Sequence, residues 1–381
     1  MRRTIRIGIG VLASVLVAIV VVSLAGAWYI SDILNEDGLL ANHEEPEFDL
    51  VVSDVGDGLI ALDTTADTDE NGRWRLKGVF GLKSPGAYNQ VGAIVELDES
   101  HVVREFLPLD GGLEVGQKVR IDNYSFPDDP LVAHGIPFED VTFSSSIGSF
   151  PAWLIPGTSD TWVILVHGRR AKRREALRIL PSIVEHGHPS LVITYRNDED
   201  LPRSDDGRYQ FGQSEWEELE GAARYAIANG ADDIILVGFS MGGAIVTNFL
   251  LVSPLSEEVR GVILDSPMVN FNDTVDLGGR ERGLPRLLVV LAKTFAAIRF
   301  DVDWDALDYV SRADEFDLPI LLFHGDEDRT VPIESSEAFA EARPDIVQYV
   351  PFEGSSHVGG WNRDREKYES TVSSFLSQLV E

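Results

Sequence analysis

Cysteine is missing from this chain, and basic residues are scarce in it. Its 381 residues include 32 Lys or Arg against 63 Asp or Glu, which gives a formal net charge of −31. Without cysteine the chain has no disulfides, no thiol catalysis and no cysteine-ligated zinc. The excess of carboxylates opposes nucleic-acid binding, which depends on Lys and Arg neutralising phosphates. We therefore expect no nucleic-acid partner, and we interpret the acidic surface as a solubility or salt-adaptation feature.

Charge is also missing from a long stretch near the N-terminus. Residues 7–31 are uncharged and follow Arg2, Arg3 and Arg6. As a helix, this stretch would be about 37 Å long at about 1.5 Å per residue, enough to cross a hydrocarbon core of about 30 Å. Because positive charge stays on the cytoplasmic side, we predict a single-pass membrane anchor within residues 1–35, with the rest of the chain outside.

A cleaved signal peptide is the alternative to an anchor. Ala25-Gly26-Ala27 resembles an A-x-A cleavage site. The apolar run is longer than the usual signal-peptide core of about 7 to 15 residues, which favours an uncleaved anchor. Both interpretations export the protein, either to the outer face of the cell membrane or in secreted form.

The most informative motif is Gly238-Phe239-Ser240-Met241-Gly242. It follows the apolar residues 234–237 and precedes the helix-like residues 244–250. A strand, a tight turn centred on serine and then a helix are typical of a nucleophile elbow, in which the small flanking residues let strand and helix approach closely. We therefore predict that Ser240 is a nucleophile.

A serine nucleophile needs a base, and in a nucleophile-elbow architecture the partners follow in the order serine, acid, histidine. Two histidines lie beyond Ser240, namely His324 and His357. His324 precedes the acidic cluster that it would have to follow, whereas His357 lies in a glycine- and serine-rich loop after residues 347–352. His357 is the predicted base. The competing interpretation is an ordinary strand-to-helix turn and an unrelated loop histidine.

These motifs resemble those of the α/β-hydrolase superfamily. Residues 324–332 carry an HG-x-x-D-x-x-VP pattern, similar to the segment in which many members carry the acid of the triad. The resemblance implies Asp328 as the acid. Asp326, in the same turn, and Asp265, at the end of an earlier strand, are the alternatives. The acid is whichever of these carboxylates orients the base.

The reaction also needs donors for an oxyanion. The backbone N–H of Met241, the residue after the nucleophile, is the first predicted donor. His167-Gly168-Arg169-Arg170 resembles the family's HG segment, which implies the amide of Arg169 as the second. We expect His167 to brace that loop rather than to take part in the chemistry.

The resemblance covers residues 137–381. Strands alternate with helices there, as in a hairpin at 138–145 and 150–155, a strand at 191–195 and a helix at 215–229. This predicts an α/β fold with a mostly parallel sheet and helices on both faces. Residues 195–198 and the pair Trp361-Asn362 add a finer resemblance to bacterial membrane-anchored hydrolases related to the prolyl-oligopeptidase-like serine hydrolases.

Two further regions are predicted. Residues 36–136 contain short β-like runs, such as 59–62, 92–97 and 118–121, and are expected to form a small β-rich accessory domain. Residues 67–72 match the start of a calcium loop, but the twelfth position is Gly78 where a bidentate Glu is needed, so we predict a hairpin turn and no metal. Residues 267–311 include an apolar helix that either packs on the sheet or caps the Ser240 site and lines an acyl pocket.

The sequence thus predicts an exported, membrane-anchored serine hydrolase that forms an acyl-enzyme on Ser240 and needs no cofactor. Its expected substrate is a small acyl compound, with lipids and peptides as candidates. Ester hydrolysis is the first hypothesis and peptide or thioester cleavage the second, because a triad does not select the leaving group. The third is a non-catalytic envelope-binding protein on a hydrolase scaffold. All the predicted catalytic groups lie beyond residue 160, so the anchor is expected to be dispensable for activity.

Overall fold

The computed structural model of the protein describes residues 2–43, 45–68 and 72–380. Three parts follow one another along the chain: an N-terminal helix, a β-barrel and an α/β unit. The predicted hairpin turn at 67–72 includes residues 69–71, which lie outside the described residues. The side chains of the arginine flank at 2–6 lie outside them as well.

Six strands of the described chain form a closed antiparallel barrel in the order β1-β2-β5-β4-β3-β6. Closure leaves no free sheet edge. Leu62, Val91 and Val102 are fully buried in its core. Arg104 is buried there too, and its guanidinium donates to the carbonyl oxygens of Trp74, Gly78 and Gly92. The strands are β1 (Leu50–Gly56), β2 (Leu59–Thr64), β3 (Phe80–Ser84), β4 (Ala87–Leu97), β5 (His101–Asp110) and β6 (Lys118–Asp122).

The α/β unit is built on a sheet in the order β14-β13-β12-β11-β9-β10-β8-β7. β9 to β14 run parallel to their neighbours among themselves, whereas β8 pairs antiparallel with both β7 and β10. The central strands are buried along their whole length, as a sheet covered on both faces requires. The strands are β7 (Glu139–Ser145), β8 (Gly148–Ile155), β9 (Thr161–Val166), β10 (Ser190–Ile193), β11 (Asp233–Phe239), β12 (Val259–Asp265), β13 (Ile320–Gly325) and β14 (Val347–Phe352).

Helices cover both faces of this sheet. One core layer packs Leu219 and Ala222 of α4 against Ile164 and Leu236, and a second packs helices α3 and α10 on the opposite face. The predicted fold class, an α/β-hydrolase sheet preceded by an apolar helix and a β-rich domain, is confirmed. The helices are α1 (Arg2–Ile33), α2 (Pro130–His134), α3 (Leu180–Glu185), α4 (Trp216–Ala228), α5 (Met241–Val252), α6 (Phe271–Glu281), α7 (Arg286–Phe300), α8 (Ile333–Ala342), α9 (Gly360–Arg363) and α10 (Arg365–Val380).

The N-terminal helix α1 continues into a π-helical turn, Leu34–Leu39. By length and composition, the stretch Ser14–Leu39 could cross a membrane, and 11% of its most apolar window is buried. A helix of this kind at the N-terminus is compatible with a membrane anchor and with a signal sequence.

The C-terminal end of α1 packs against α7. The rings of Trp28 and Phe295 meet edge to face at 5.4 Å. The guanidinium of Arg299 lies 3.7 Å from the centre of the Trp28 ring and donates to the side chains of Ser31 and Asp32. This contact fastens the end of α1 to the α/β unit.

Candidate active site

Ser240 occupies a strained turn between β11 and α5. Its backbone angles are φ 51° and ψ −117°, a conformation that non-glycine residues rarely adopt. A Cβ at Gly238 would lie 2.7 Å from the carbonyl oxygen of Gly242, and a Cβ at Gly242 would lie 2.2 Å from that of Val166. Only glycine fits at both positions, so strand and helix can approach as a nucleophile elbow requires.

The structure brings Ser240, His357 and Asp328 together at the carboxyl ends of the parallel strands. His357 Nε2 lies 2.8 Å from Ser240 Oγ, and His357 Nδ1 lies 2.6 Å from Asp328 Oδ2. Ser240, His357 and Asp328 lie in the turns after β11, β14 and β13, respectively. Ser240 and His357 are 117 positions apart in the chain, and Asp328 and His357 are 29 positions apart. An unbroken hydrogen-bonded path therefore runs from the serine hydroxyl to the carboxylate.

The Asp328 carboxylate is buried and held from several sides. Its Oδ1 accepts hydrogen bonds from the backbone N–H groups of Thr330 and Val331, and His324 Nε2 lies 3.1 Å from Oδ2. Burial alone would raise the pKa of Asp328, but the charges and hydrogen bonds of His357 and His324 outweigh it and hold that pKa well below its usual range. Asp328 is therefore ionised at neutral pH.

The imidazole of His357 responds to that negative charge. Burial would lower its pKa, but the charge of Asp328 and the hydrogen bond to it raise the pKa above the ordinary 6.5. The same carboxylate fixes Nδ1 as the protonated nitrogen of the neutral ring, which leaves Nε2 free to accept the proton of Ser240.

The two alternative acids lie elsewhere. The Asp265 carboxylate accepts a hydrogen bond from the Tyr368 hydroxyl at 3.0 Å. Asp326 accepts one from the backbone N–H of Gly354 at 2.7 Å. Neither carboxylate is hydrogen-bonded to the His357 ring in the described chain.

The HG segment lies directly against the nucleophile. A Cβ at Gly168 would be 3.0 Å from the Cβ of Ser240, and the N–H of Gly168 donates to the buried Glu175 carboxylate at 2.7 Å. The backbone N–H groups of Met241 and Arg169 have no acceptor within the part of the chain that the structure describes. Both amides are thus available as oxyanion donors, and these roles stay predictions.

His167 braces this segment from behind. Its Nε2 lies 3.0 Å from Asp198 Oδ2, its Nδ1 lies 2.9 Å from the carbonyl oxygen of Gly168, and its ring stacks on Tyr195. It is buried and has no hydrogen bond to Ser240 or His357 in the described chain. This geometry fits the supporting role expected for it.

A family model described as the alpha/beta hydrolase family matches residues 131–370, more than half of the chain. The chain belongs to the alpha/beta hydrolase family. Membership confirms the resemblance seen in the sequence and supports hydrolase activity. The finer resemblance to prolyl-oligopeptidase-like hydrolases stays a prediction. Residues 51–122, in the barrel, match a domain of unknown function (DUF8805).

Solved structures of similar fold include an esterase from Pyrococcus furiosus in two crystal forms. They share 20% and 21% identity with this hydrolase, have TM-scores of 0.51 and 0.52, and match over 64% of this chain and 93% and 91% of theirs. An esterase from Exiguobacterium antarcticum shares 18% identity at a TM-score of 0.47, over 63% of this chain and 100% of its own. At this level of identity, the likeness to the Pyrococcus furiosus esterase shows a common fold alone. No curated protein gives a significant sequence match.

The sequence did not reveal that the barrel reaches the site of the hydrolase. Asn362, just beyond His357, donates to the carbonyl oxygens of Val79 and Asn123. The buried Arg178 donates to the carbonyl oxygen of Val358 and to Asn362 Oδ1. The pair Trp361-Asn362 is visible in the sequence, but the hydrogen bonds of Asn362 to Val79 and Asn123 join residues 283 and 239 positions apart, which no local pattern reports.

A mostly apolar cavity of about 340 Å³ begins at Ser240, with Asp37, Arg169, Arg282 and Arg329 as the charged members of its wall. We call it the apolar cavity. α6 and α7 form part of its wall, with Phe271, Val275 and Val289. The end of the N-terminal helix forms another part, through Ile30 and Ile33. The end of the N-terminal helix therefore contributes to the wall of this cavity, although every predicted catalytic group lies beyond residue 160.

A second cavity, of about 290 Å³, is also lined by Ser240 and includes His357 in its wall. Its wall holds seven Lys or Arg residues and three Asp or Glu residues. Basic residues therefore outnumber acidic ones here, whereas in the whole chain 32 basic residues stand against 63 acidic ones. Barrel residues, among them Arg73, and the HG segment share this wall. We call this cavity the basic cleft.

Proposed function

We propose that this protein is a carboxylic ester hydrolase that forms an acyl-enzyme on Ser240. The observation that carries the proposal is the path of 2.8 Å and 2.6 Å contacts from Ser240 through His357 to Asp328. A binding protein would have no need of a strained serine joined to an imidazole and an ionised carboxylate.

In the acylation step, His357 Nε2 takes the proton of Ser240 Oγ as that oxygen attacks the ester carbonyl carbon. The amides of Met241 and Arg169 are the proposed donors to the oxyanion that forms. Collapse of the tetrahedral intermediate breaks the bond to the alcohol oxygen, which leaves with the proton from His357. Asp328 keeps the imidazole oriented throughout and stabilises its protonated form.

In the deacylation step, His357 takes a proton from water, which attacks the acyl carbon. The carboxylic acid is released, and the proton returns to Ser240. Overall, one ester and one water molecule give one carboxylic acid and one alcohol. We favour esters because the cavity that begins at Ser240 is apolar, as an acyl chain requires.

We further propose that residues 7–31 hold the enzyme in the cell membrane with the catalytic unit outside the cytoplasm. The uncharged length of the run and the arginines on one flank only support this arrangement. Secretion after cleavage at Ala27 is the competing arrangement.

Labelling with a serine-directed fluorophosphonate tests the proposed function, because only an activated hydroxyl reacts readily. We expect the wild type to be labelled and to hydrolyse p-nitrophenyl butyrate, and Ser240→Ala to lose both. Ser256→Ala, in the 3₁₀ turn Pro254–Glu258 that precedes β12, is the matched control and should behave as wild type. A folded wild type that is neither labelled nor active would favour the binding-protein hypothesis. Faster turnover of peptides or thioesters than of esters would favour the peptidase or thioesterase hypothesis over ester hydrolysis.

A further inference from the structure

Helix α7 is apolar on two opposite faces. Successive helical residues are offset by about 100°, so its buried residues and its exposed apolar residues fall on opposite sides. The buried face consists of Val289, Ala292 and Ala296, and the exposed face includes Leu287, Val290 and Ile298, which are 65%, 47% and 75% exposed. A helix that is apolar all round is normally enclosed by protein or lipid.

This exposed face lies next to the N-terminal helix. Trp28 and Tyr29 of α1 are exposed, and α1 contacts α7 through Trp28 and Phe295. α1 also exposes apolar side chains along 15–22, in the proposed membrane-spanning part. A large apolar surface of this kind, beside an anchor, fits the boundary of a bilayer.

The apolar cavity lies between these same helices. Ile30 and Ile33 line it from α1, Val289 lines it from α7, and Ser240 is part of the same wall. A chain that leaves the bilayer beside α1 therefore has an apolar path to the nucleophile. Such a path selects an acyl group that is already in the membrane.

The basic cleft, which Ser240 also lines, suits a different chemical group. Arg73, Arg169 and Arg170 lie in its wall, and none of them forms an ion pair with a carboxylate of the described residues, although Arg170 donates to the backbone carbonyl oxygen of Glu36. Nη1 of Arg169 is buried and has no hydrogen-bond partner in the described chain. Arginine binds phosphate with two parallel hydrogen bonds, so unpaired guanidinium groups favour a phosphate-bearing ligand.

Arg169 connects the two cavities, because it lines both of them beside Ser240. A ligand that spans the site would place an apolar chain in the apolar cavity and an anion in the basic cleft. The protein carries a net charge of −31 and would repel anions elsewhere, so the basic cleft is a local exception.

We propose that the substrate is an anionic acyl lipid of the membrane that holds the anchor, with its acyl chain in the apolar cavity and its phosphate head group in the basic cleft. The proposal rests on the proposed ester hydrolysis. Ser240 would take the acyl group, the deacylated lipid would leave with the proton from His357, and water would then release the fatty acid.

The first test uses full-length protein reconstituted in vesicles that contain either phosphatidylglycerol or phosphatidylcholine. We expect release of fatty acid to be at least tenfold faster from the anionic lipid, because both lipids carry a phosphate but only phosphatidylcholine adds an ammonium group that the basic cleft repels. Arg169→Met should reduce this preference about tenfold, the effect of losing a charge-assisted hydrogen bond. Arg260→Met, at the amino end of β12, is the matched control and should keep it. The measured quantity is the ratio of the rate on phosphatidylglycerol to the rate on phosphatidylcholine, because a substitution that lowers both rates equally leaves this ratio unchanged.

The second test narrows the apolar cavity in the full-length chain. Ile33→Trp should lower the ratio of activity on a C14 ester to activity on a C4 ester at least tenfold. Leu24→Trp, on the same helix but outside the cavity wall, should leave the ratio within twofold of wild type. Val275→Phe, from α6, gives the same test should Ile33→Trp fail to fold.

The outcomes separate this proposal from the proposed function. Hydrolysis of p-nitrophenyl butyrate without hydrolysis of either vesicle lipid would overturn the lipid proposal and leave ester hydrolysis standing. An unchanged chain-length ratio in folded Ile33→Trp and Val275→Phe would also overturn it, as would equal rates on the two lipids. Loss of both activities together with absence of fluorophosphonate labelling would remove the proposed function itself.

Discussion

Asn123 of the barrel donates a hydrogen bond of 3.3 Å from Nδ2 to the backbone carbonyl oxygen of His357. The two residues are 234 positions apart and belong to different parts of the molecule. His357 lies in a loop, and a loop needs outside contacts to hold a side chain still. The barrel therefore supplies part of the support for the proposed base.

Removal of that support should lower activity without removing any reacting group. We expect Asn123→Ala to reduce kcat/KM for p-nitrophenyl butyrate about two- to tenfold, the effect of one hydrogen bond. Gln117→Ala breaks a hydrogen bond to Ser84 within the barrel and is the matched control, with unchanged kcat/KM. Steady-state kinetics, with the melting temperature of each variant, would check this. Wild-type kinetics for Asn123→Ala would show that the contact is passive.

Asp265 is one of the two alternatives to Asp328 as the acid, and the variants of Asp328 and Asp265 should differ sharply. Asp328→Asn should lower kcat by about three to four orders of magnitude, because the imidazole loses the partner that orients it. Asp265→Asn, which affects a hydrogen bond to Tyr368 and no contact with His357, should lower kcat less than about tenfold. The reverse ranking would transfer the role to Asp265.

The pH dependence should report the raised pKa of His357. Only the neutral imidazole can accept the serine proton, so activity should rise with pH through that pKa. Because the charge of Asp328 raises it, we expect the acidic limb of kcat/KM to have its midpoint above 6.5. In Asp328→Asn the residual activity should show a midpoint at lower pH. A wild-type midpoint below 6.5 would contradict the assignment.

The anchor can be tested by fractionation. Full-length protein should sediment with membranes and resist high-salt washing, because burial of about 20 apolar residues in lipid is not screened by salt. Protease added to intact cells should digest the catalytic unit. A mature N-terminus at Trp28 would instead show cleavage after Ala27, and protection from protease would place the unit inside the cell.

Two shortened chains distinguish the role of the N-terminal helix as a membrane anchor from its role as a wall of the apolar cavity. A chain that starts at Trp28 keeps Ile30 and Ile33, whereas one that starts at Asn35 loses both. We expect both to be soluble, the first with the chain-length preference of the full enzyme and the second with a reduced preference for long acyl chains. Ester panels of increasing acyl length would measure this, and identical profiles would show that the helix end is dispensable.

The catalytic motifs were predictable from the sequence because local geometry dictates them. The end of β11 at Gly238-Phe239 and a turn that needs Gly242 specify Ser240. The strands β13 and β14 are short, mostly apolar runs that place Asp328 and His357 at one sheet edge. The barrel was harder to predict. Its strands β1, β3 and β5 have weak patterns, and closure is a property of all six pairings together. Long-range contacts, such as those of Asn362 and of the end of α1, leave no local signature.

The contact of Arg299 with Ser31 and Asp32 changes how a membrane-anchored enzyme would meet its substrate. A flexible tether would let the catalytic unit tumble and sample a volume of solution. Here the helix end is clamped to α7, so a spanning α1 would hold Ser240 at one height and one tilt above the lipid surface. Such an enzyme searches in two dimensions. Its rate then follows the mole fraction of substrate in the bilayer, and it falls by surface dilution even when the total amount of substrate is constant.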